Sequence, residues 1–324
     1  MTTIMVTGVG AIMGYGLLRS LKRALPDIHL IGTDIYTDAV GRAWCERFEQ
    51  APLTASEQYL EWLQEVTMRH EVDLVIPGIE QDVQRLSDCR EQIAGLRCRF
   101  ALNNPLLIAL SRDKWLMHQA LLDLGDEARI PSYLSGDFST LSTLLGLPFI
   151  LKPRRSYASK GLVRVHDEST FALHAHLLGE HLLAQPIVGS DDEEYTVGVF
   201  GDGHGGVPAS ITLQRRLAQD GSTAKARVRK DAGLDEVVGR LCKHFRPLGP
   251  TNLQFRRDGQ QWKLLEINPR VSSTSSMRTA FGFNEAAMCV DYYLHGKLPV
   301  QPNIRDGFAV RYIEDYVLHD RAHF

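Results

Sequence analysis

The first 110 residues alternate short apolar runs with segments whose apolar residues recur at helical spacing. Because strands that alternate with helices are joined by crossover connections, this pattern predicts a parallel, doubly wound sheet over residues 1–110. Thr54-Ala-Ser-Glu57 fits a capping box, which predicts a helix through Tyr59, Leu63 and Val66. The predicted strands lie in segments 4–10, 29–34, 73–78 and 99–102, and the first predicted helix is 14–24.

After Pro105 the pattern changes to α+β, in which hairpins replace crossovers. A helix is predicted from Ser111 to about Leu124. The predicted strands are 149–153, 161–166, 181–189, 194–200, 207–213, 251–256 and 262–270. The fold class is therefore α/β plus α+β, with a second domain over 111–300 and a C-terminal strand or tail over 301–324. The alternating run 308–317 would close the sheet or pair with a neighbour, and a homodimer is a further expectation.

Composition excludes several classes of protein. The net charge of −3 gives no basic field that would attract nucleic acid or an anionic membrane. Five cysteines without Cys-x-x-Cys spacing indicate reduced, buried thiols rather than a disulfide frame or a zinc site. No run approaches the ~18–20 apolar residues of a membrane span. These features predict a cytoplasmic protein.

A glycine group follows the first predicted strand. Gly8, Gly10 and Gly14 begin a helix, and Asp34 ends the next strand, where a dinucleotide-binding protein has its ribose-binding acid. The spacing has three residues before the third glycine, where the dinucleotide fingerprint has two. A structural turn is therefore favoured over NAD(P) binding. Signatures of P-loop, zinc-protease and nucleophile-elbow enzymes are absent from the sequence.

The segment 251–270 (TNLQFRRDGQQWKLLEINPR) predicts a β-hairpin. A three-residue loop with Gly259 in the left-handed conformation would pair Arg256 with Gln260 and Gln254 with Trp262. In that register the apolar residues Leu253, Phe255, Leu265 and Ile267 lie on one face. Gln254, Glu266 and Asn268 lie on the other face. A two-residue loop would turn Gln254 to the apolar face.

The predicted polar face has the composition of a magnesium site. Glu266, Asn268 and Gln254 supply oxygen ligands of the kind that a hard cation prefers. Arg270 follows two residues later, and a cation beside a metal and phosphate site stabilises the dispersed negative charge of phosphoryl transfer. The alternative is that these are solvated polar positions on a half-buried strand.

Glu266-Ile-Asn268-Pro-Arg270, with Gln254 upstream and VSSTSS (271–276) downstream, resembles the metal-site segment of ATP-grasp enzymes. It is similar to the synthetase halves of carbamoyl-phosphate synthase and to small amino-acid ligases, and the likeness runs to about residue 300. The resemblance implies a pre-ATP-grasp domain followed by a two-lobed ATP-grasp domain. It implies ATP and Mg²⁺, or Mn²⁺ in its place, held by Gln254, Glu266 and Asn268, with Arg270 facing the transferred phosphate.

The same resemblance assigns further roles. Lys114 would reach the nucleotide phosphates, and Lys152 would contact phosphate near the adenine pocket. Residues 154–161 would fold over the triphosphate, and segment 184–189 would be the hinge that reads adenine. Glu194 would hold the ribose hydroxyls. The loop residues expected at the nucleotide are Ser159, Lys160 and Gly161, helped by Arg154 and Arg155, and the hinge residues are Gln185, Pro186 and Ile187.

The resemblance implies a carboxylate–amine ligase that works through an acyl phosphate on small-molecule substrates. Arg227, Arg229 and the hydroxyls of residues 272–276 are expected to receive the acceptor. The alternatives are bicarbonate as the carboxylate, as in carbamoyl-phosphate formation, a non-catalytic ATP-binding protein, and an oxidoreductase that uses the N-terminal domain. The loop has Gly161 where the family has several glycines, Gln185 stands where many relatives have Glu, and Gln254 is neutral.

Overall fold

The computed structural model describes residues 1–155 and 161–317. Within them the strands are β1 Thr3–Thr7, β2 His29–Asp34, β3 Arg47–Gln50, β4 Leu74–Ile76, β5 Arg99–Phe100, β6 Phe149–Pro153, β7 Val163–Val165, β8 Leu182–Pro186, β9 Glu194–Asp202, β10 Ala209–Leu217, β11 Thr223–Arg229, β12 Leu248–Asp258, β13 Gln261–Asn268 and β14 Phe308–Val310. The helices are α1 Ile12–Ala24, α2 Tyr59–Arg69, α3 Glu80–Asp88, α4 Arg90–Ile93, α5 Pro105–Ser111, α6 Lys114–Asp123, α7 Phe138–Leu145, α8 Glu168–His174, α9 Ala232–Phe245, α10 Ser275–Ala280 and α11 Glu285–His295.

The N-terminal sheet has the strand order β3-β2-β1-β4-β5, and all its pairs are parallel. Successive residues of β1 enter different cores, because side chains alternate across a strand: Ile4 and Val6 join one cluster and Met5 another. Burial on both faces is typical of parallel sheets. The predicted doubly wound sheet is confirmed.

Two helix starts differ from the predictions. The predicted capping box does not form: α2 begins at Tyr59 without a side-chain cap, and the Thr54 hydroxyl donates instead to Asp82, at 2.6 Å. The helix predicted from Ser111 begins instead at Lys114: Ser111 is the last residue of α5, and Asp113 accepts a hydrogen bond from the Trp115 N–H at the start of α6. A side-chain hydrogen bond therefore caps the start of α6 but not that of α2.

A six-stranded antiparallel sheet has the order β13-β12-β9-β10-β11-β14. The strand β11 was not predicted, because its alternation of small apolar and basic residues resembles a solvated charged run. The strand β14 pairs with β11, so part of the run 308–317 closes this sheet, as one of the two predicted alternatives states. A smaller antiparallel sheet, β7-β6-β8, forms the other lobe with α7 and α8.

The predicted division at residue 110 coincides with the change in sheet type but does not divide the core. The helices α10 and α11 pack on α1 and share a cluster with Ile4, Val6 and Leu17. The Thr279 hydroxyl donates to Ser20 at 3.0 Å, and the Asn284 side chain donates to the Ser20 carbonyl at 2.9 Å. The six-stranded sheet thus packs on the N-terminal unit through one face and on α9 through the other. No helix in the described residues has the length and apolar character of a membrane span.

Candidate functional site

The predicted polar face of the β12–β13 hairpin exists, although the predicted register is wrong. Asp258 pairs with Gln261, so the loop is Gly259-Gln260, two residues long. By alternation alone, this loop would turn Gln254 and Glu266 to opposite faces. Nevertheless Gln254 pairs directly with Glu266, and the two side chains share a face.

A β-bulge reconciles the loop with the pairing. The register shifts between Gln254 and Phe255: Phe255 pairs with Leu264, and Leu265 is the extra residue. One extra residue reverses the alternation along a strand. Leu264, rather than the predicted Leu265, therefore joins Phe255 in the apolar core, while Glu266 returns to the polar face.

Two lysines from separate elements approach Glu266. Lys114 is the first residue of α6, and Lys152 lies on β6 of the other lobe. Burial would raise the pKa of Glu266, but the charges of Lys152 and Lys114, a hydrogen bond with Asn268 and the charge of Arg270 outweigh it, so the pKa lies below its ordinary value. Glu266 is therefore a carboxylate at neutral pH.

The same environment alters both lysines. Burial lowers the pKa of Lys152 to about 8, which the nearby Glu266 opposes and Lys114 reinforces. Burial also lowers the pKa of Lys114, against the charges of Glu266, Asp113 and Glu80. Two ammonium groups that are costly to bury favour an anionic ligand, because the negative charge of that ligand would offset the cost.

Arg270 is held by a residue that the sequence analysis did not identify. Its guanidinium donates to Glu80 at the start of α3, to the Val271 carbonyl at 3.0 Å and to the Asn268 side chain at 3.3 Å. The side chain is only 14% exposed. Glu80 follows a strand of the N-terminal parallel sheet, so this ion pair connects that sheet to the hairpin.

Glu194, the predicted ribose ligand, lies between two arginines. Arg215 donates to its Oε1 at 3.1 and 2.8 Å, and Arg256 donates to its Oε2 at 3.0 and 2.8 Å. Four guanidinium hydrogen bonds use the acceptor sites of a carboxylate. A ribose hydroxyl can be accepted only if one arginine moves, so the ribose role of Glu194 stays a prediction that this arrangement does not favour.

The predicted metal ligands fit a cation unequally. The Gln254 Oε1 accepts a hydrogen bond from Arg215 at 2.7 Å, and a guanidinium at that oxygen repels a metal ion. Asn268 accepts a hydrogen bond from Arg270 at 3.3 Å, and Glu266 lies among the charges of Lys152, Lys114 and Arg270. Across the described ranges, no three His, Cys, Asp or Glu side chains converge as a metal site. The donor set that remains is one carboxylate and one amide, which suits Mg²⁺ only when phosphate oxygens and waters complete the shell.

The arginines expected over the triphosphate are bound to Asp113. Arg154 forms a buried ion pair with this carboxylate at 2.7 Å, and the exposed Arg155 contacts it at 3.3 Å. Arg154 therefore stabilises the start of α6, where Lys114 lies, instead of lying free in the loop. Ser159 and Lys160 lie outside the described residues. Gly161 is exposed at a positive φ of 78°.

The predicted hinge residues lie at the end of β8. The Gln185 side chain is buried and donates to the Ser132 hydroxyl at 2.8 Å, so its amide group bonds another side chain of the protein. Pro186 is the last residue of β8, and Ile187 follows it, half-buried. The adenine contacts predicted for the Pro186 carbonyl and the Ile187 amide stay predictions.

The predicted acceptor role of Arg227 and Arg229 is contradicted by the structure. Arg227 pairs with Gln214, which in turn pairs with Tyr195 of the α9 core, so these side chains lie on the face opposite Gln254 and Glu266. Both arginines are exposed, and Arg229 donates to the Gln214 side chain at 2.9 Å. The basic residue of this region on the site face is Arg215.

The sequence contained weak signals for the residues that were missed. Arg215 occupies the same strand face as Ile211 and Leu213, where a charge in an apolar row indicates a buried partner. Glu80 follows a strand of a parallel sheet, at the edge where ligands bind. Arg278 gave no such signal. It is fully buried and forms an ion pair with Glu285 at 2.7 Å.

Comparisons with known proteins identify the fold. A family model described as ATP-grasp in the biosynthetic pathway with Ter operon matches residues 180–316. The structure of N5-carboxyaminoimidazole synthetase from Staphylococcus aureus complexed with ADP is similar, with 18% identity, a TM-score of 0.73, and coverage of 94% of this chain and 80% of that chain. No curated protein sequence matches the chain.

Two biotin carboxylase structures are also similar. One is from Campylobacter jejuni, in a β-γ-ATP complex, with 16% identity, a TM-score of 0.72 and coverage of 95% of this chain and 74% of that chain. The other is the biotin carboxylase domain dimer of Hydrogenobacter thermophilus 2-oxoglutarate carboxylase with MgADP, ADP and bicarbonate, with 13% identity, a TM-score of 0.71 and coverage of 95% and 73%. The chain has the ATP-grasp fold, as the sequence resemblance predicts.

Proposed function

We propose that this chain is an ATP- and magnesium-dependent ligase that activates a small carboxylate as its acyl phosphate and transfers the acyl group to an amine. The observation that carries the proposal is the approach of Lys114, Lys152 and Arg270 to Glu266 and Asn268. These residues come from α6, β6 and the end of the hairpin, so the cations converge only in the folded chain. Positive charge fixed beside a carboxylate and an amide oxygen suits the terminal phosphates of a nucleotide.

In the proposed first step, a carboxylate oxygen of the substrate attacks the γ-phosphorus of ATP, and the bond from that phosphorus to the ADP oxygen breaks. Lys152 and Lys114 hold the phosphates, and Arg270 stabilises the negative charge that spreads over the transferred group. Bound Mg²⁺, held by Glu266 and Asn268, would neutralise phosphate charge. Gln254 contributes to the metal only if Arg215 releases its oxygen.

In the second step, the amine nitrogen attacks the acyl carbon. The carbon–oxygen bond to phosphate breaks, an amide forms, and the nitrogen loses a proton. The chemistry requires no nucleophile from the protein, since the phosphate itself is the leaving group. Glu80 positions Arg270 through their ion pair and so ties the N-terminal sheet to the reaction site.

A second candidate uses bicarbonate as the carboxylate. The observation in its favour is the similarity to the biotin carboxylase domain whose structure contains MgADP and bicarbonate. The same cations would serve, because bicarbonate also presents one oxygen nucleophile to the γ-phosphate. The two candidates differ in the first substrate and not in the phosphoryl-transfer residues.

Phosphate release from Mg-ATP tests both candidates. Carboxylates and amines, amino acids included, are screened in pairs in buffer freed of carbon dioxide, and again with added bicarbonate. Release that needs a carboxylate–amine pair supports the ligase, and release that needs bicarbonate alone supports the second candidate. ADP binding without release under any condition would leave a non-catalytic nucleotide-binding protein and refute both.

A further inference from the structure

The six-stranded sheet is covered by α9 over only part of one face. The helix packs on β13, β12 and β9 through apolar residues of all three strands. On the same face, β10, β11 and β14 carry side chains that are exposed to solvent. These side chains form the basic edge face, which consists of Arg216, Lys225, Arg227, Arg229, Phe308 and Val310.

The four cations of the basic edge face have few carboxylate partners. Arg216 forms an ion pair with Asp192 at 2.8 Å, in which both side chains are exposed, and Arg229 donates to a neutral amide. Lys225 and Arg227 form no ion pair with a carboxylate of residues 1–155 or 161–317. In a chain whose net charge is −3, this positive surface is local, and it attracts an anionic partner.

The basic edge face ends at an open strand edge. β14 is the last strand of the sheet, and no strand in the described part of the chain pairs with its outer side. Arg311 and Gly307 hydrogen-bond to β11 through their backbone, at 2.8 and 3.1 Å. Hydrogen-bonded pairs alternate along an antiparallel ladder, so Phe308 and Val310 direct their N–H and C=O groups away from β11. Another polypeptide strand can pair with these groups.

The open edge of β14 lacks the usual protection. Natural proteins protect such an edge with a charged side chain, a proline or a bulge. The strand is Phe308-Ala309-Val310, which contains none of these, and its pairing with β11 is regular. Phe308 is 56% exposed and Val310 52%, although both are apolar. An apolar, unprotected edge beside a basic surface suits an incoming strand that carries both apolar and acidic residues.

We propose that β14 binds an extended segment of a partner protein in which acidic residues alternate with apolar residues, and that this segment adds a strand to the sheet. Its acidic side chains lie on the outer face and extend over Phe308 and Val310 toward Lys225 and Arg227. Its apolar side chains lie on the inner face beside Ala309, which packs on the core. The added strand is about 10 Å, or two strand spacings, from β11, a distance that a glutamate and an arginine side chain together span.

Two other occupants fit the surface less well. A second copy of this chain that paired β14 with β14 would place Lys225 and Arg227 of both copies on one face of a continuous sheet, where like charges repel. A nucleic acid would meet the cations, but it has no alternating N–H and C=O groups to pair with the open edge. The occupant that satisfies both the charge and the edge is an acidic polypeptide.

Fluorescence anisotropy with labelled synthetic ligands tests the proposal on the whole chain. The probe is a short peptide in which glutamate alternates with valine. The comparison ligands are the lysine–valine peptide, the glutamate–valine peptide N-methylated at its glutamates, which could not pair with Phe308 and Val310, and an oligothymidylate. The probe is expected to bind at least about tenfold more tightly than each of these. No binding of the probe, or equal binding of any comparison ligand, overturns the proposal.

Two variants locate the binding. Arg227→Glu reverses one charge of the basic edge face, and Val310→Pro removes an outward N–H that β11 does not use; each should weaken peptide binding at least about tenfold. Arg97→Glu, an exposed charge reversal on the N-terminal unit, is the matched control and should leave binding unchanged. Circular dichroism checks folding, and if one variant does not fold, the other decides. Unchanged binding in the folded variants contradicts the proposal.

Sedimentation velocity distinguishes a partner protein from a second copy. The unmodified chain and the Val310→Pro variant are expected to have the same oligomeric state. A dimer of the unmodified chain that Val310→Pro dissociates would assign the edge to a second copy and overturn the proposal. Neither measurement requires ATP, so both are independent of the ligase proposal.

Discussion

Gln254 and Glu266 face each other across the β12–β13 hairpin, on the side of the six-stranded sheet that faces away from α9. The loop of this hairpin alone would have separated them. The extra residue Leu265 restores their common face, and with it the arrangement of oxygen donors beside Lys114, Lys152 and Arg270. Both residues belong to one face, yet they have different neighbours, since Gln254 contacts Arg215 and Glu266 is surrounded by lysines.

Replacing Glu266 should lower the rate of catalysis while the protein still folds. Glu266→Gln removes the charge that balances Lys114 and Lys152 and an oxygen ligand of the proposed metal site. The rate of ADP formation should fall on the order of a thousandfold, while the melting temperature changes little. A coupled ADP-release assay measures the rate. Glu65→Gln, on the exposed face of α2, is the control, and full turnover by Glu266→Gln would refute the site.

Nucleotide binding should depend on pH through Lys152. The pKa of the free lysine is lowered to about 8, and bound phosphates favour the ammonium form, so the bound pKa lies higher. Affinity for ADP should be constant below about pH 8 and fall by up to about tenfold per pH unit above it. Fluorescence or calorimetric titration across this range measures the effect.

The control for this pH dependence is a pair of variants. Lys152→Ala should bind ADP more weakly at neutral pH and lose most of the decline in affinity above about pH 8. Lys225→Ala, on an exposed position of β11, should behave as the unmodified chain does. An unchanged pH profile in Lys152→Ala would show that another group is responsible.

Glu80 should act on the reaction chiefly through Arg270. Glu80→Gln removes the charge that orients the guanidinium, so kcat should fall on the order of tenfold while ADP affinity changes little. The double variant Glu80→Gln/Arg270→Ala should be no slower than Arg270→Ala alone, because the arginine is then absent. Glu91→Gln is the exposed control. Additive losses in the double variant would mean that Glu80 has a role of its own.

Two arginines on opposite faces of the six-stranded sheet should differ in their contribution to stability. Arg215→Ala leaves the buried Glu194 with Arg256 as its remaining partner and should lower the free energy of unfolding by about 3 kcal/mol. Arg227→Ala, at an exposed position, should change it by less than ~0.5 kcal/mol. Urea denaturation measures both. Equal losses would contradict the assignment of faces.

The spacing of residues predicted most of the strands, but not β3 or β11. The bounds of β2 and β6 agree with the predicted segments 29–34 and 149–153, because each is an apolar run that ends at a charged residue or a proline. The strand β11 was missed since its exposed residues are basic and its inward residues small. The Glu266-Ile-Asn268-Pro-Arg270 segment also identified the ATP-grasp fold correctly. Its residues are consecutive in the chain, so the pattern can be recognised without knowledge of tertiary contacts.

The sequence by itself determined the alternation of strands and helices, the hairpin and the oxygen donors that it carries, since these depend on residues close together in the chain. The tertiary structure alone decided the bulge at Leu265, the approach of Lys152 to Glu266, and the partners of Glu194, Arg270 and Arg278. The reason is that a buried charge pairs with whichever opposite charge the packing brings near it. That packing joins segments distant in the chain, which local spacing does not encode.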